Sequence, residues 1–256
     1  MKLDRHYVEK PWGRTRLPAI FDAPKGSRTG EVWFTGGGDL PLLAKYIFTS
    51  ERLSIQVHPN DEQARARGLA QGKNECWYIL DAEPGATIGL GLRRVVSANE
   101  LRAAALDGSI EAIIDWRPVS AGDFFFVPAG TIHAIGAGIS LLEFQQNSDV
   151  TYRLYDYGRP RELHLDDAID VGLSGPYPDA LAQHVSADEE LVLVEKPFLL
   201  LHARQDALSD RRRWVMPLDG TVRSGGEAAG PGECLLLEAG ESLESDGGWM
   251  LIGARV

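Results

Sequence analysis

The stretch from Gly122 to His133, GDFFFVPAGTIH, constrains the fold of this chain more than any other. Its apolar run from Phe124 to Val127 predicts a strand. Pro128 and Gly130 then favour a tight turn, because proline fixes one backbone angle and glycine accepts a left-handed one. The histidine after this turn is expected to face the interior of a small barrel. One histidine does not make a site, so its partners must come from elsewhere in the chain.

The bulk composition is that of an ordinary globular protein. The chain has 256 residues, of which 44% are hydrophobic and 25% charged, and this length suits one large or two small domains. The formal net charge of −11 argues against nonspecific binding of nucleic acid. A small anionic substrate remains compatible with it if a few basic side chains gather in one cleft. No apolar run is long enough to cross a bilayer, and the first residues lack the apolar core of a signal peptide.

The two cysteines, Cys76 and Cys234, lie far apart and form no C-x-x-C pair. This usage predicts a reducing compartment, with neither a disulfide framework nor a cysteine zinc site. A reducing compartment in turn predicts a cytoplasmic protein. We also expect a monomer or weak homodimer, with no nucleic-acid and no membrane partner.

The first two thirds of the chain carry strand patterns. Residues 1–40 are rich in proline and glycine and are expected to be irregular, apart from a barrel-edge strand over 31–35. A capping box, Ser97-Ala-Asn-Glu100, predicts a helix that stops near Gly108. Short helices are also expected over 61–72 (or a loop), 110–115 (or a strand) and 164–173. Further strands are predicted over 42–49, 53–58, 75–81, 86–92, 139–146 and 151–157.

The pattern changes after residue 190, where short apolar runs alternate with glycine and acidic turns. Such runs predict a second small all-β barrel or half-barrel. It holds one histidine, His202, and no Pro-x-Gly-x-x-His turn, so we expect a structural lobe without a metal site. The predicted organisation is a catalytic barrel with N-terminal strands over 1–173, a polar linker over 174–190 and the lobe over 191–256.

Four side chains are expected to converge on one cavity. Gln56 and His58 are two residues apart on a predicted strand, so both point to one face. Glu75 opens a later strand, His133 ends another, and inward positions of a closed barrel share one cavity. Two imidazoles, one carboxylate and one amide oxygen make a mixed nitrogen and oxygen site. That set suits Zn²⁺ with one open position and would also accept other divalent metals.

Four motifs, in this order, resemble the type I mannose-6-phosphate isomerases, above all the short bacterial form. They are LSIQVHPND at 53–61, GKNECWYIL at 72–80, VPAGTIHA at 127–134 and QQNSDVTYRLYDYGR at 145–159. The turn before His133 is also similar to the second metal-binding motif of the cupin barrels. The likeness covers roughly residues 8–170. It implies a mainly β fold: a cupin-type jelly-roll barrel with a few short helices and a second, smaller degenerate β-barrel lobe at the C-terminus.

This resemblance implies a zinc-dependent aldose–ketose isomerase that interconverts mannose 6-phosphate and fructose 6-phosphate through an enediol. A small-molecule sugar phosphate is then the partner, and the cofactor is one Zn²⁺ per chain. The residues that match the family's metal ligands are Gln56, His58, Glu75 and His133.

The resemblance also implies Arg153 as the catalytic arginine. The alternative for Arg153 is a structural ion pair with Asp156 or Asp149. Glu143 matches a family glutamate ten residues before that arginine, and we take it as the candidate for the base that moves the proton. The alternative for Glu143 is that it only orients Arg153 or a metal ligand.

Lys73 matches the active-site lysine of the family. It precedes Glu75 by two residues, so we expect it to share the face of Glu75 and to reach the rim of the cavity. Either Lys73 or Arg159 is the expected contact for the phosphate group. Lys45 alternates with apolar neighbours on its strand, and the sequence assigns it no role.

Two other functions stay open on the sequence. A different metal-dependent cupin enzyme, such as an Fe²⁺ oxygenase, would use two histidines and one glutamate as a facial triad. Gln56 in place of the customary first cupin histidine argues against it, as does the pair of Lys73 and Arg153. A non-catalytic sugar-phosphate-binding cupin would keep the barrel. The candidates Glu75, His133 and Arg153 argue against that, because a pure binder needs no open metal position.

Overall fold

The computed structural model describes all residues from 1 to 256, and strands dominate it. The first twelve strands are β1 Asp4–Arg14, β2 Thr29–Thr35, β3 Leu42–Phe48, β4 Ile55–Val57, β5 Glu75–Ala82, β6 Thr87–Leu92, β7 Ile114–Pro118, β8 Asp123–Val127, β9 His133–Ile135, β10 Ile139–Gln146, β11 Tyr152–Tyr155 and β12 Ala182–His184. The last eight are β13 Leu191–Val194, β14 Phe198–Ala203, β15 Arg213–Pro217, β16 Val222–Ser224, β17 Glu227–Ala229, β18 Leu235–Leu237, β19 Glu244–Ser245 and β20 Met250–Arg255.

Four short α-helices interrupt the strands: α1 Asp61–Ala66, α2 Ala98–Asp107, α3 Ile110–Ile113 and α4 Leu165–Val171. Ser97 caps α2 as predicted, because its hydroxyl accepts a hydrogen bond from the Glu100 amide. Gly108 ends the helix in the left-handed region at φ 81°. The segment expected to be helix or strand after it is both, since α3 runs directly into β7. No helix here is both long and apolar enough to cross a membrane.

Two antiparallel sheets build the barrel. The larger has seven strands in the order β1-β2-β3-β10-β5-β8-β12, and the smaller has five in the order β11-β4-β9-β6-β7. Apolar side chains of both sheets pack in one core between them, for example Ile79 and Leu141 of the larger sheet with Ile88 and Ile135 of the smaller. The predicted mainly β, cupin-type fold is confirmed.

The seven-stranded sheet is buried on both faces. Every residue of β3 and every residue of β10 is buried. Alternate residues belong to different layers: Leu142 and Phe144 pack outward against the C-terminal lobe, whereas Ile139 and Leu141 pack inward. Two-sided burial explains why these strands read as continuous apolar runs in the sequence. Because of this burial, a charged residue on the inner face is shielded from water and is therefore exceptional.

Outer layers cover both sheets of the barrel. The helices pack on the five-stranded sheet, where Leu101 of α2 and Ala168 of α4 share a core with Ile55 and Leu154. The C-terminal lobe covers the seven-stranded sheet through a core of 23 buried residues that includes Phe144 and Trp214. This lobe has a five-stranded sheet in the order β13-β14-β20-β15-β18 and a three-stranded sheet in the order β17-β16-β19. Of its strands, β17 and β19 were not predicted from the sequence.

The expectation that residues 1–40 are irregular was wrong for β1. This strand is the longest of the chain and pairs with β2, with shifts of register at Glu9. It includes Pro11 and Gly13, which argue against a strand in the sequence. An edge strand tolerates proline because one side of its backbone needs no ladder hydrogen bond. Since β1 takes the edge position, β2 lies one strand further in than expected.

The division at residues 173 and 190 stays a proposal, and the structure adds two connections across it. Within the expected linker, β12 pairs with β8, and the Tyr177 hydroxyl donates to the carbonyl of Phe126 at 2.7 Å. At the other end of the chain, the Leu3 amide donates to the Cys234 carbonyl at 2.9 Å. The linker is thus partly built into the barrel, and the N-terminus is attached to the C-terminal lobe.

Gly253 offers a test of how closely the lobe packs on the barrel. A Cβ at this position of β20 would lie 2.6 Å from the Phe144 ring. We expect Gly253→Ala to lower the free energy of unfolding by about 1–3 kcal/mol, as overpacking does. Urea or thermal unfolding measures it. The control is Gly230→Ala, where the nearest atom would be 3.7 Å away; equal stability of the two variants would contradict the packing described.

Candidate active site

A cavity of about 470 Å³ opens between the two sheets of the barrel. Its volume is typical of sites for small molecules. Its wall is unusually rich in charge for a chain of net charge −11, with more basic than acidic side chains. These charged lining residues are Lys10, Lys45, Lys73, Arg153, Arg161, Glu31, Glu75, Glu143 and Asp149.

Three of the predicted metal ligands form one buried group, of which Glu75 lines the cavity while His58 and His133 lie behind its wall. The ligand atoms of His58, Glu75 and His133 all lie within 4.8 Å of one another. Glu75 Oε2 is 3.4 Å from His58 Nε2, and Glu75 Oε1 is 3.3 Å from His133 Nε2. Glu75 comes from the seven-stranded sheet, whereas the histidines belong to or follow strands of the five-stranded sheet. The group therefore exists only because the two sheets face each other.

Backbone carbonyls orient both imidazoles. His58 Nδ1 lies 2.7 Å from the Val150 carbonyl, and His133 Nδ1 lies 2.8 Å from the Thr131 carbonyl. Each Nδ1 therefore carries the proton, and each Nε2 presents its lone pair to the group. Metal-ligating histidines are held in this way.

The two histidines are held neutral. Burial and the Lys73 ammonium lower the pKa of His58 to about 3, and burial is the main cause that lowers the pKa of His133. Neutral His133 Nε2 and Glu75 Oε1 are both acceptors, so no hydrogen bond links them at 3.3 Å. A cation between them would satisfy both, and two nitrogens with a carboxylate are ligands that a divalent transition metal accepts.

Gln56 lies beside this group. Its Cα pairs with that of His133 across β4 and β9, and its Nε2 is 3.3 Å from His133 Nε2. Its Oε1 accepts a hydrogen bond from the Ser54 hydroxyl at 3.0 Å. Amide oxygen and nitrogen are assigned from such contacts, and a half-turn of the amide would present Oε1 to the group instead. Its role as a fourth ligand stays a prediction.

Lys73 lies deeper than the expected rim position, and its side chain is buried. Its Nζ is 2.8 Å from Glu75 Oε2 and 3.2 Å from His58 Nε2. Burial alone would raise the pKa of Glu75, but the Lys73 ammonium outweighs it and holds that pKa well below the ordinary value. Glu75 is therefore ionised, as a metal ligand must be.

Glu143 forms a second charged cluster next to the first. Its Oε1 is 3.1 Å from Lys45 Nζ and 3.7 Å from Lys73 Nζ, and its Oε2 accepts a hydrogen bond from the Trp77 indole at 3.2 Å. Burial, together with the nearby Glu75 carboxylate, raises the pKa of Glu143 to about 7, against the opposing effect of Lys45. Glu143 does not contact Arg153, so the alternative that Glu143 serves to orient this arginine finds no support.

Arg153 is free of the ion pairs that the structural reading required. Its Nε is buried and has no hydrogen-bond partner. Asp156 binds other arginines instead: Arg159 Nη1 at 3.0 Å and Arg161 Nε at 2.5 Å. Arg159 also binds Glu51 at 3.0 Å and does not line the cavity, whereas Arg161 does. The expected phosphate contact of Arg159 is therefore not supported by its position.

Sequence reasoning missed several charged residues of this cavity. The most informative is Lys45, the only charged residue in the fully buried strand LLAKYIF. A lysine inside an apolar strand requires a buried acidic partner, and this signal was available in the sequence. Glu31 and Lys10 were also missed. No local sequence pattern around Glu31 or Lys10 predicts a site, because their charged partners lie on neighbouring strands.

No family model matches the chain, but known proteins are similar to it in sequence. The mannose-6-phosphate isomerase ManA of Bacillus subtilis is 43% identical, with 73% of this chain and 72% of the relative aligned. The mannose-6-phosphate isomerase of Streptococcus mutans is 40% identical, with 69% of this chain but only 58% of the relative aligned.

A solved structure extends the likeness to the whole chain. The crystal structure of the mannose 6-phosphate isomerase from Bacillus subtilis matches with a TM-score of 0.79 and 26% identity, and it covers 100% of this chain and 99% of that one. Sequence identity to ManA and this full-length structural match agree with each other. The chain therefore belongs to the mannose-6-phosphate isomerase family.

Proposed function

We propose that this chain is a zinc-dependent aldose–ketose isomerase that interconverts mannose 6-phosphate and fructose 6-phosphate through an enediol. The observation that carries the proposal is the buried His58–Glu75–His133 group, whose Glu75 lines one cavity together with the pair of Glu143 and Lys45. The names of the two relatives support the substrate. The excess of basic groups in the cavity suits an anionic sugar, although the chain as a whole is acidic.

The donor set supports a metal ion in this group. Gln56, His58, Glu75 and His133 would hold it, and two nitrogens with two oxygens suit Zn²⁺. When bound, such an ion acts as a Lewis acid that polarises the sugar carbonyl. Lys73 now supplies the positive charge beside Glu75. If a metal ion supplies that charge, the long flexible side chain of Lys73 would allow its ammonium to turn toward the cavity and contact a substrate oxygen.

Glu143 is suited to move the proton between C1 and C2. A base works best when its pKa lies near the operating pH, and that of Glu143 is raised to about 7. The Trp77 indole holds one carboxylate oxygen at 3.2 Å. The ammonium of Lys45 lies 3.1 Å from the other oxygen, so it would stabilise the carboxylate before the proton arrives. We assign the proton transfer to Glu143 with Lys45 as its partner.

Arg153 is suited to stabilise the negative charge of the enediolate. It lines the cavity, its Nε has no partner in the protein, and an arginine side chain stays charged at any working pH. Its backbone pairs with Gln56 across β11 and β4, which keeps it next to the metal ligands. A guanidinium not committed to an internal ion pair can form its strongest interaction with the charge that develops during the reaction.

Location and assembly are part of the proposal. Both cysteines are free and buried, as is usual in a reducing compartment, so we place the enzyme in the cytoplasm. We keep the prediction of a monomer or weak homodimer.

The first test is the metal. We expect His133→Ala to lose bound zinc and isomerase activity, because one of two nitrogen ligands is removed from a buried group. Metal analysis and a coupled assay for fructose 6-phosphate measure the two effects. The matched control is His184→Ala, which removes an exposed imidazole bound to Asp123.

Full activity of His133→Ala would contradict the metal centre. Two histidines and one glutamate also make a facial triad for Fe²⁺. Iron in the purified protein with oxygen uptake and no isomerase activity would therefore favour the oxygenase reading.

The second test separates binding of the metal from the chemistry. We expect Arg153→Ala to lower kcat by about 100-fold or more, the usual loss for removing one group that stabilises a developing anion, while zinc content stays normal. The control is Arg102→Ala, which removes an exposed guanidinium bound to Asp166. If Arg153→Ala lost its zinc, Arg153 would be a structural support of the metal centre instead.

A further inference from the structure

Six charged side chains of alternating sign run across the inner face of the seven-stranded sheet. We call this row the charge ladder. Lys10 Nζ is 3.2 Å from Glu31 Oε2, and Glu31 Oε1 is 3.7 Å from Lys45 Nζ. The remaining steps from Lys45 to Glu143, to Lys73 and to Glu75 measure 3.1, 3.7 and 2.8 Å. In order, the members are Lys10, Glu31, Lys45, Glu143, Lys73 and Glu75.

The ladder follows the order of the strands. Its first four members lie on β1, β2, β3 and β10, Lys73 lies two residues before β5, and Glu75 begins that strand. Lys45 pairs in register with Glu143 of β10 on one side and with Trp33 of β2 on the other. The ladder thus connects the edge of the sheet to the metal-binding group, and it does so through the proposed proton-transfer pair.

Glu31 is the buried member that no assigned role explains. Its residue is only 6% exposed, and a buried carboxylate is costly unless it is paired. Trp33 Nε1 donates to its Oε2 at 2.8 Å, which is also the oxygen nearest Lys10. These two contacts fix the carboxylate, and its other oxygen faces Lys45. Burial would raise the pKa of Glu31, but Lys45 and Lys10 outweigh it, so the group is ionised.

Lys45 therefore lies between two fixed carboxylates. Trp33 also lies beneath its ammonium, 5.8 Å from the ring centre. With Glu143 as its only anion, Lys45 would close onto that carboxylate as a tight ion pair. A tight pair would reduce the ability of Glu143 to accept a proton, because an adjacent cation stabilises the ionised form. Lys45 already contacts Glu143 at 3.1 Å, and Glu31, at 3.7 Å on the opposite side, competes for the same ammonium, so the pair is weaker than it would be with Glu143 alone.

We propose that Glu31 is a positioning residue, whose carboxylate holds the Lys45 ammonium between itself and Glu143 so that this pair stays aligned for proton transfer. The inference rests on the proposed isomerase function and extends it to a residue remote from the metal-binding group. Glu31 acts only through Lys45, and its own substitution should leave the metal in place.

The experiment compares three variants in the coupled isomerase assay. Glu31→Gln keeps the length of the side chain and an acceptor for Trp33 but removes the charge. Glu31→Asp keeps the charge and shortens the side chain. The matched control, Glu9→Gln, removes an exposed carboxylate from the adjoining strand β1. Zinc content and the unfolding temperature are measured for each variant.

We expect Glu31→Gln to lower kcat by about fivefold or more while KM stays within about twofold, with normal zinc content and unfolding temperature. Glu31→Asp should lose less than Glu31→Gln, because its charge remains, and Glu9→Gln should behave as the wild type. A purely structural role predicts the reverse order, since glutamine fits the site better than aspartate does. The inference would be overturned if Glu31→Asp lost more activity than Glu31→Gln. It would also be overturned if Glu31→Gln lost less than about fivefold in kcat, or if that variant lost its zinc.

Three further outcomes are decisive. If Glu31→Gln does not fold, Lys10→Met takes its place: freeing Glu31 to close on Lys45 should lower kcat by about twofold or more, and an unchanged kcat overturns the inference. An inactive wild type would overturn the proposed function and the inference with it. An active wild type whose Glu31 variants keep full activity would overturn the inference alone.

Discussion

The structure depends on how charge is accommodated inside a sheet that is buried on both faces. An isolated charge there would cost several kcal/mol, and only a close opposite charge offsets that cost. The seven-stranded sheet meets this requirement across its strands, because Lys45 and Glu143 are in register on β3 and β10. Apolar residues fill most of the remaining inner positions. The six charged residues of the ladder all line the cavity, beside Gln145 and apolar residues such as Leu43 and Trp77.

The C-terminal lobe takes part in this arrangement without offering a ligand. By covering the outer face of the sheet, it buries residues such as Phe144 and Leu142 that would otherwise lie in water. Its own histidine, His202, is stacked on Trp249 with ring centres 4.4 Å apart, and its Nδ1 faces the Glu189 carbonyl. That the lobe serves only as a structural cover stays a prediction. Two-sided burial keeps the strands rigid, and a rigid support holds site residues more precisely than a loop does.

The sequence predicted those site residues whose signal is local. The Q-V-H pattern places Gln56 and His58 on one face, and the proline–glycine turn identifies His133. The charge ladder could not be predicted in this way, because its order depends on the pairing β1-β2-β3-β10-β5, which joins strands far apart in the chain. Arg161 was missed for a similar reason, while Arg159 was expected to contact the phosphate. Tyr157 and Gly158 both have positive φ, so the chain turns before these arginines, and no strand alternation predicts which of them faces the cavity.

Glu75 and Glu143 illustrate how one cavity assigns two carboxylates to different work. Both are buried on neighbouring strands of one sheet, and Lys73 lies between them, 2.8 Å from the first and 3.7 Å from the second. Burial would raise the pKa of Glu75, but the closer Lys73 ammonium outweighs it and holds that pKa well below the ordinary value. Burial, together with repulsion by the Glu75 carboxylate, raises the pKa of Glu143 to about 7 against the effect of Lys45. Two like groups whose pKa values are shifted apart in this way separate a permanent anion from a proton carrier. The lysines keep both carboxylates inside the barrel, and the surroundings of each carboxylate decide which one ionises first.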